Sequence, residues 1–456
     1  MSSEDVLISP LPFPESWRLA KLKDLTQKIG SGATPKGGQA AYLKARISFA
    51  LVRSQNVYDR EFSETGLAFI SDLQAEALKG VWLEEEDILL NITGDGVTFG
   101  RACLVPSKVL PACVNQHVSI IRLDKSVASP GYIASYLTHP TIKSYIESFN
   151  AGGSRRAITK AHIESFVIPL PPIEIQNEIA QVLGAFDERI VLLRETNAIL
   201  EAIAQALFKS WFVDFDPVHA NAGAQAPSLP AEIQALFPSR LVESPQGLIP
   251  EGWEVKKCSD IIDVRDGTHA SPKTSETGYP LLTSKHITSG ELLFDGAYLI
   301  SEADYLDISK RSKVDHLDVL ITMIGTVGAT AFVLNESTDF AIKNIGLFKT
   351  SKRPEFASYI YLLLSSKEMK HYLEARMAGT TQKYLSLKAL REIAIIEPAK
   401  PVTQAFSEFV KPIFEKIHQN RTSVQTLSTV RDTLLPRLIS GQLRLPEAEA
   451  ALAEVS

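Results

Sequence analysis

The 456-residue chain is poor in sulfur, with three cysteines and four methionines. Cys103, Cys113 and Cys258 form no CxxC pair, which excludes a disulfide framework or a zinc knuckle and leaves reduced, partly buried thiols. No window approaches the roughly 18 uninterrupted apolar residues of a membrane span. The opening MSSEDVLISPLPFPES has neither the basic start nor the apolar stretch of a signal peptide, so no membrane partner and a cytoplasmic location are expected. Chemical signatures are missing as well. There is no GxSxG, HExxH or GxxxxGK[ST], and the nine histidines are scattered. His117, His162, His269 and His286 are expected on the surface or satisfied in the core. Gly94 to Gly100 carries a GxGxxxG spacing, and its later counterpart is only Gly325-Thr326-Val327-Gly328. A turn between two strands explains both better than a phosphate loop. The expectation is no catalytic, metal or cofactor site.

Net positive charge is also lacking. The net charge of −6 resides in residues 173–244, which hold 4 basic and 10 acidic groups, while residues 1–172 (18 against 17) and 245–400 (19 against 20) are balanced. Balance in those two segments permits a polyanionic ligand wherever Lys and Arg cluster on one face.

What the chain does have is a repeat. Pro14-Glu15-Ser16-Trp17 returns as Pro250-Glu251-Gly252-Trp253, an offset of 236. Thr34-Pro35-Lys36 answers Ser271-Pro272-Lys273, and DILLNITG from Asp87 answers DVLITMIG from Asp318. Gly152, Ser154, Ile158, Ile163 and Pro171 precede Gly379, Thr381, Leu385, Leu390 and Pro398 by 227 residues each. A period of half the chain is far longer than a solenoid unit of roughly 20–50 residues. Two homologous globular domains are expected. Within each, short β-favouring runs alternate with turn signals and are followed by helical patterns at 131–149 and 356–377, which makes the class α+β. Glu84 to Asp87 reads as a solvated acidic turn.

Each half ends in a heptad-like stretch. After Pro172 the seam runs Ile175, Ile179, Val182, Phe186, Ile190, Leu193, Asn197, Leu200, Ala204, Leu207, Trp211, and near the C-terminus Phe406, Val410, Ile413, Ile417, Asn420, Val424, Leu427. Two long antiparallel, coiled-coil-like helices are expected, with Pro412 kinking or starting the second. Asn197 and Asn420 fit either a buried, register-fixing amide pair or edge positions facing water. Leu183 and Phe208 remain available for partner docking or for the helix pair. The Pro-rich stretch from Asp216 to Pro250 reads as a linker, and the acidic, Ala-rich end as a frayed tail.

Three readings fit these residues: a duplicated DNA reader, a duplicated enzyme, or a scaffold whose rod is its working part. The absence of an (N/D/S)PP(Y/F) motif and of a strand-linked cofactor loop disfavours a methyltransferase acting alone. The chain resembles the specificity subunit of type I restriction–modification enzymes. The resemblance rests on PESW and PEGW, the ITGDGVTFG and MIGTVG turns, Asn115-Gln116, GGSRRAITKAHIESFVIPLPP with AGTTQKYLSLKALREIAIIEP, ALFKSWFVDFDP, and RDTLLPRLISGQL. It spans nearly the whole chain and departs at Pro412 and at Lys343-Asn344-Ile345-Gly346.

The resemblance implies a pseudo-two-fold molecule. Its parts are a first target recognition domain (1–170), a first spacer helix (171–215), a linker (216–248), a second recognition domain (249–398), a second spacer helix (399–444) and a flexible tail (445–456). It further implies a non-catalytic subunit that reads an asymmetric bipartite sequence in double-stranded DNA and recruits two methyltransferase subunits and the restriction subunits. No cofactor is expected in this chain, and the partners use S-adenosylmethionine, ATP and Mg. Base readout needs side chains with paired donors or acceptors. The candidates are Lys36, Arg53, Gln55, Asn56, Arg101, Ser154, Arg155 and Arg156 in the first domain, and Lys273, Lys285, His286, Thr381, Gln382 and Lys383 in the second.

Overall fold

A computed structural model describes residues 8–94, 97–149, 156–288, 290–379, 383–443 and 445–455. The chain forms two compact units. One comprises residues 1–193 and 422–456, the other residues 194–421.

In the first unit, β1 (Arg18–Lys21) is followed by β2 (Thr26–Ser31), β3 (Phe49–Val52), β4 (Ala68–Ile70), β5 (Ile88–Asn91), β6 (Ala102–Leu104), β7 (Ala112–Val114) and β8 (Val118–Leu123). Helices α1 (Pro130–Leu137) and α2 (Pro140–Ser148) come next, then β9 (Val167–Leu170) and the long helix α3 (Ile173–Phe212), which begins in this unit. The main sheet is antiparallel in the order β2-β8-β5-β6. A three-stranded sheet β4-β3-β7 holds one parallel pair, and β1 joins β9.

The run Ile-Leu-Leu in β5 has no polar alternation because both of its faces are covered. Ile88 and Leu90 face the helices, while Leu89 points oppositely, toward Ala50 and Val114 of the smaller sheet. The helical pattern expected at 131–149 is split where Pro140 takes the first position of α2 with His139 as its cap.

The second unit repeats this connectivity. Its strands are β10 (Glu254–Lys257), β11 (Val264–Asp266), β12 (Tyr279–Leu282), β13 (Leu299–Ile300), β14 (Val319–Thr322), β15 (Thr330–Phe332), β16 (Ala341–Ile342) and β17 (Ile345–Phe348). After α4 (Ala357–Ser365) and α5 (Lys367–Glu374) come β18 (Ala394–Glu397) and the long helix α6 (Lys400–Ile439). The sheets are β11-β17-β14-β15 and β13-β12-β16, and β10 pairs with β18. Side-chain detail repeats too. Tyr132 Oη donates to Pro169 O at 2.7 Å, and Tyr359 Oη to Ile396 O at 2.7 Å, both members of each pair 227 residues apart.

Each unit includes a stretch of both long helices, and within each unit the two stretches run antiparallel. In the second, Trp211 and Phe212 meet Phe406 while Asn420 Nδ2 donates to Asn197 Oδ1 at 2.8 Å. The two asparagines are 8% and 2% exposed, so they form the buried register pair rather than wet edges. Arg421 ties α6 to Glu201 of α3 at 2.8 Å and to Glu291 at 3.1 Å. The first unit keeps the signs on the helices and reverses the third partner, with Asp187 of α3 held by Arg431 of α6 at 2.8 Å and by Arg60 at 2.5 Å.

Several expectations need correction. Of the two roles left open for Leu183 and Phe208, docking falls and packing holds: both are buried within their own units, Phe208 against Phe406 of α6. Helix α6 runs through Pro412 from Lys400, so that proline does not start it. The presumed linker contains helices Asp216–Asn221 and Ala231–Gln234 and a hairpin, Leu241–Ser244 with Gly247–Pro250. Val218 and Phe237 from this stretch, with Phe215 just before it, enter the second unit's core, because alternating prolines and apolar residues still bury the latter. The supposed tail forms α7 (Leu445–Val455) and buries Ala448 in the first unit.

Of the acidic turn, Glu84 and Glu85 are solvated, but Asp87 is buried against Arg122, with bonds of 2.7 and 2.8 Å. The three cysteines are free and buried, and burial pushes the Cys113 and Cys258 thiols up to about 12. No helix among the described residues is long and apolar enough to cross a membrane, and no cluster of metal-ligating side chains occurs among them.

Candidate nucleic-acid interface

In each unit several loops converge where the smaller sheet feeds the main one. The first is a short 3-10 turn after β3 or β12. In the first unit Asn56 Oδ1 accepts from the backbone N of Arg53 (3.0 Å), and its Nδ2 donates to Ser63 O (2.9 Å). In the second, His286 Nδ1 accepts from the backbone N of Thr283 (2.8 Å). Burial lowers the His286 pKa below its usual range, which keeps that lone pair available. Asn56 and His286 are therefore equivalent internal braces, 0% and 2% exposed, and lie too deep to touch bases. The turn they shape carries Gln55 or Lys285 at its exposed tip.

The other candidates lie around this turn. Lys36 and Lys273 are exposed in the loops after β2 and β11. Arg53 is half-buried and donates to Gly66 O, to which Gln55 Nε2 also donates at 3.3 Å. Arg101 stacks on the half-exposed Tyr58 ring, 4.5 Å from its centroid. Arg156 forms a two-residue strand with Ala157 against Thr93-Gly94 and pairs with Glu147 at 2.8 Å. Its counterpart Lys383 is exposed, and the following Tyr384 bridges to Ile324 just as Ala157 bridges to Thr93. Ser154, Arg155, Thr381 and Gln382 lie outside the described residues. The structure thus gathers Gln55, Arg101 and Arg156 around one loop cluster and Lys285 and Lys383 around the other.

The link between the smaller and the main sheet occupies the middle of each cluster, and the candidate set missed its side chains. In the first unit it is Asn115-Gln116-His117, between β7 and β8. Asn115 is buried and caps the turn by accepting from His117 N at 3.0 Å, while Gln116 is exposed. In the second unit the link is one residue shorter, Lys343-Asn344, with Asn344 at φ 55°. That left-handed conformation is tolerated by asparagine and often accompanies function. His269 lies between Asn344 Oδ1 (2.7 Å) and Asp266 Oδ2 (3.0 Å). The available signal was the Thr34/Ser271 echo, since both hydroxyls turn out to contact these links.

Residues 14–202 and 250–426 match the family model described as the type I restriction modification DNA specificity domain. The chain belongs to that family. A specificity subunit of this class is a DNA-recognition component of a restriction–modification system. The chain is 27% identical over 445 residues to the type I restriction enzyme MjaIX specificity subunit of Methanocaldococcus jannaschii, with 95% of each chain covered. It is 25% identical over 475 residues to the HindI specificity subunit of Haemophilus influenzae, covering 94% of this chain and 99% of the relative. The crystal structure of a type I system S subunit from M. genitalium superposes with a TM-score of 0.51 at 15% identity, over 95% and 99% of the two chains. That last likeness supports the fold.

Proposed function

We propose that this specificity subunit reads an asymmetric, bipartite sequence in double-stranded DNA, one half-site per repeat. The observation that carries the reading is a shared scaffold bearing different polar chemistry at matching points, such as Gln55 against Lys285 at the tips of equivalent turns. Conserved architecture with divergent donors and acceptors is what two readers of different half-sites require. Arg and Lys flanking those tips supply phosphate contacts, which position a protein on the duplex without carrying sequence information.

In this reading α3 and α6, each 40 residues and so about 60 Å long, set the spacing between the half-sites. Half-site centres on one face of B-DNA lie about one turn, 34–36 Å, or multiples of it apart. The subunit does no chemistry itself. Two methyltransferase subunits and the restriction subunits dock on it in the cytoplasm and bring S-adenosylmethionine, ATP and Mg. Exposed apolar side chains on α3, Ile199 at 62% and Ile203 at 45%, are one turn apart and suit such docking.

The deciding experiment expresses the chain with the modification subunits of its own locus in a host lacking other methylation, and sequences the modified adenines. A single interrupted, non-palindromic motif is expected. Methylation by the pure chain alone, or a continuous palindromic motif, would overturn the proposal.

A further inference from the structure

Each unit holds its sheet-to-sheet link through a hydroxyl from the loop after β2 or β11, and the two hydroxyls are the repeated Thr34 and Ser271. Thr34 Oγ1 donates to Gln116 Oε1, and Lys343 Nζ donates to Ser271 Oγ at 2.6 Å. A glycine lets the loop press this close. A Cβ on Gly32 would stand 1.7 Å from Val114 O, and one on Gly267 would stand 2.3 Å from Ile342 O, the carbonyls that end the two equivalent parallel strands. The one-residue difference in link length breaks the sequence match, yet the hydroxyl contact is kept in both units.

We propose that Gln116 and Lys343 are equivalent base-reading positions, Gln116 for an adenine in one half-site and Lys343 for a guanine in the other. The inference rests on the chain being a sequence reader and adds which residues read which base class. An amide has two lone pairs on oxygen and two hydrogens on nitrogen. At Gln116 one lone pair is engaged by Thr34, and one hydrogen by His117 Nε2 at 3.2 Å, while His117 is itself anchored on Thr93 Oγ1 at 2.5 Å. One acceptor and one donor remain on an exposed side chain already fixed in orientation, the pair that adenine N6 and N7 demand. An ammonium has three hydrogens and no acceptor. With one hydrogen on Ser271, Lys343 offers two donors, which match guanine O6 and N7 and leave the adenine amino group unsatisfied. The left-handed Asn344 beside it, held by His269, fixes the backbone that presents this ammonium.

The test uses the chain assembled with its modification subunits, selecting from duplexes randomised across both half-sites, with wild type in parallel. Gln116→Ala is expected to lose preference for A·T at one position of one half-site by roughly 5- to 150-fold, the range that one bidentate contact provides. Every other position, including the whole second half-site, keeps its preference. Gln116→Glu, nearly isosteric, is expected to move that position toward cytosine, whose N4 amino group a carboxylate accepts. Lys343→Gln should shift one guanine to adenine in the other half-site only. Variants that select the wild-type motif unchanged would overturn the assignment, as would variants weakening all sequences alike, the behaviour of a phosphate contact. If an alanine variant does not assemble, the isosteric Glu variant decides, and retention of the untouched half-site shows that it is folded. A wild-type complex that selects no motif would instead sink the reading of the chain as a sequence recogniser.

Discussion

Lys349→Met is expected to be the most damaging single change to the second unit outside its apolar core. Lys349 Nζ lies 2.5 Å from Asp318 Oδ2, and the two side chains are 3% and 0% exposed. Without the lysine, the Asp318 carboxylate loses its direct ion-pair partner and keeps the backbone amides of Asp315 (2.8 Å) and Ser351 (3.1 Å) and the more distant charge of Arg265. Breaking a fully buried pair from one side costs about 3–5 kcal/mol. For a unit spanning residues 194–421 this corresponds to a drop in melting temperature of roughly 6–20 °C. The equivalent pair in the first unit is a built-in control. Arg122 is 16% exposed against Asp87, and Lys28 remains near enough for its charge to interact with Asp87. Arg265 stands in the same relation to Asp318, so the two pairs differ in the exposure of the basic partner, and a smaller loss is expected for Arg122→Met. Urea unfolding followed by hydrogen exchange and mass spectrometry assigns each loss to its unit. Equal costs for the two variants, or a loss under about 1 kcal/mol for Lys349→Met, would refute the argument that burial, not pairing as such, sets the penalty.

Three further outcomes are expected. Arg265 and then Lys352 hold the Asp263 carboxyl down from its usual 3.8 to about 2. Its contribution to stability is therefore present above about pH 4 and is lost as pH falls through 2. Asp263 is largely exposed, so the increment is modest and salt-screened; Asp263→Asn should flatten acid melting curves over that window, and curves parallel to wild type would exclude it. Arg156→Ala with Lys383→Ala should reduce the slope of log K against log salt for DNA binding by the assembled complex by about 0.9 per lost phosphate contact, and an unchanged slope would remove both residues from the interface. Inserting one heptad at the same level of α3 and α6 should lengthen the tolerated spacer while both half-sites stay the same; sequencing methylated sites that show an unchanged gap would refute the ruler role.

The repeat, the fold class and the long helices were legible in the sequence because each rests on local periodicity or on residue echoes. DILL and DVLI repeat because each strand is buried on both faces and its leading aspartate is an internal ion-pair partner. The internal role of Asn56 and His286 was not legible. Both are polar and sit in a loop-like sequence, and only the three-dimensional turn shows their hydrogen bonds directed inward. The packing of residues 216–250 was hidden for the opposite reason. Its prolines break the stretch into short helices, turns and a hairpin, and these pieces still bury Val218 and Phe237 because a tryptophan-bearing core lies beside them.

Base-reading chemistry is the part least visible in one dimension, and the two links show why. Gln116 and Lys343 stand 227 residues apart, the offset of the later echoes, but share no residue type, so no pattern marks them as a pair. They are joined by a glycine that permits close approach and by a hydroxyl that fixes the side chain, two features that sit over 70 residues away in sequence. The repeats therefore keep the bracing atoms and vary the braced ones. A reader built this way can change its target by substituting one braced side chain while glycine, hydroxyl and sheets stay in place. Thr34→Val should then blur discrimination at the Gln116 position without redirecting it, because the amide loses its fixed orientation but keeps its donor and acceptor. A clean switch to another base in that variant would show that the hydroxyl reads DNA directly instead of holding the residue that does.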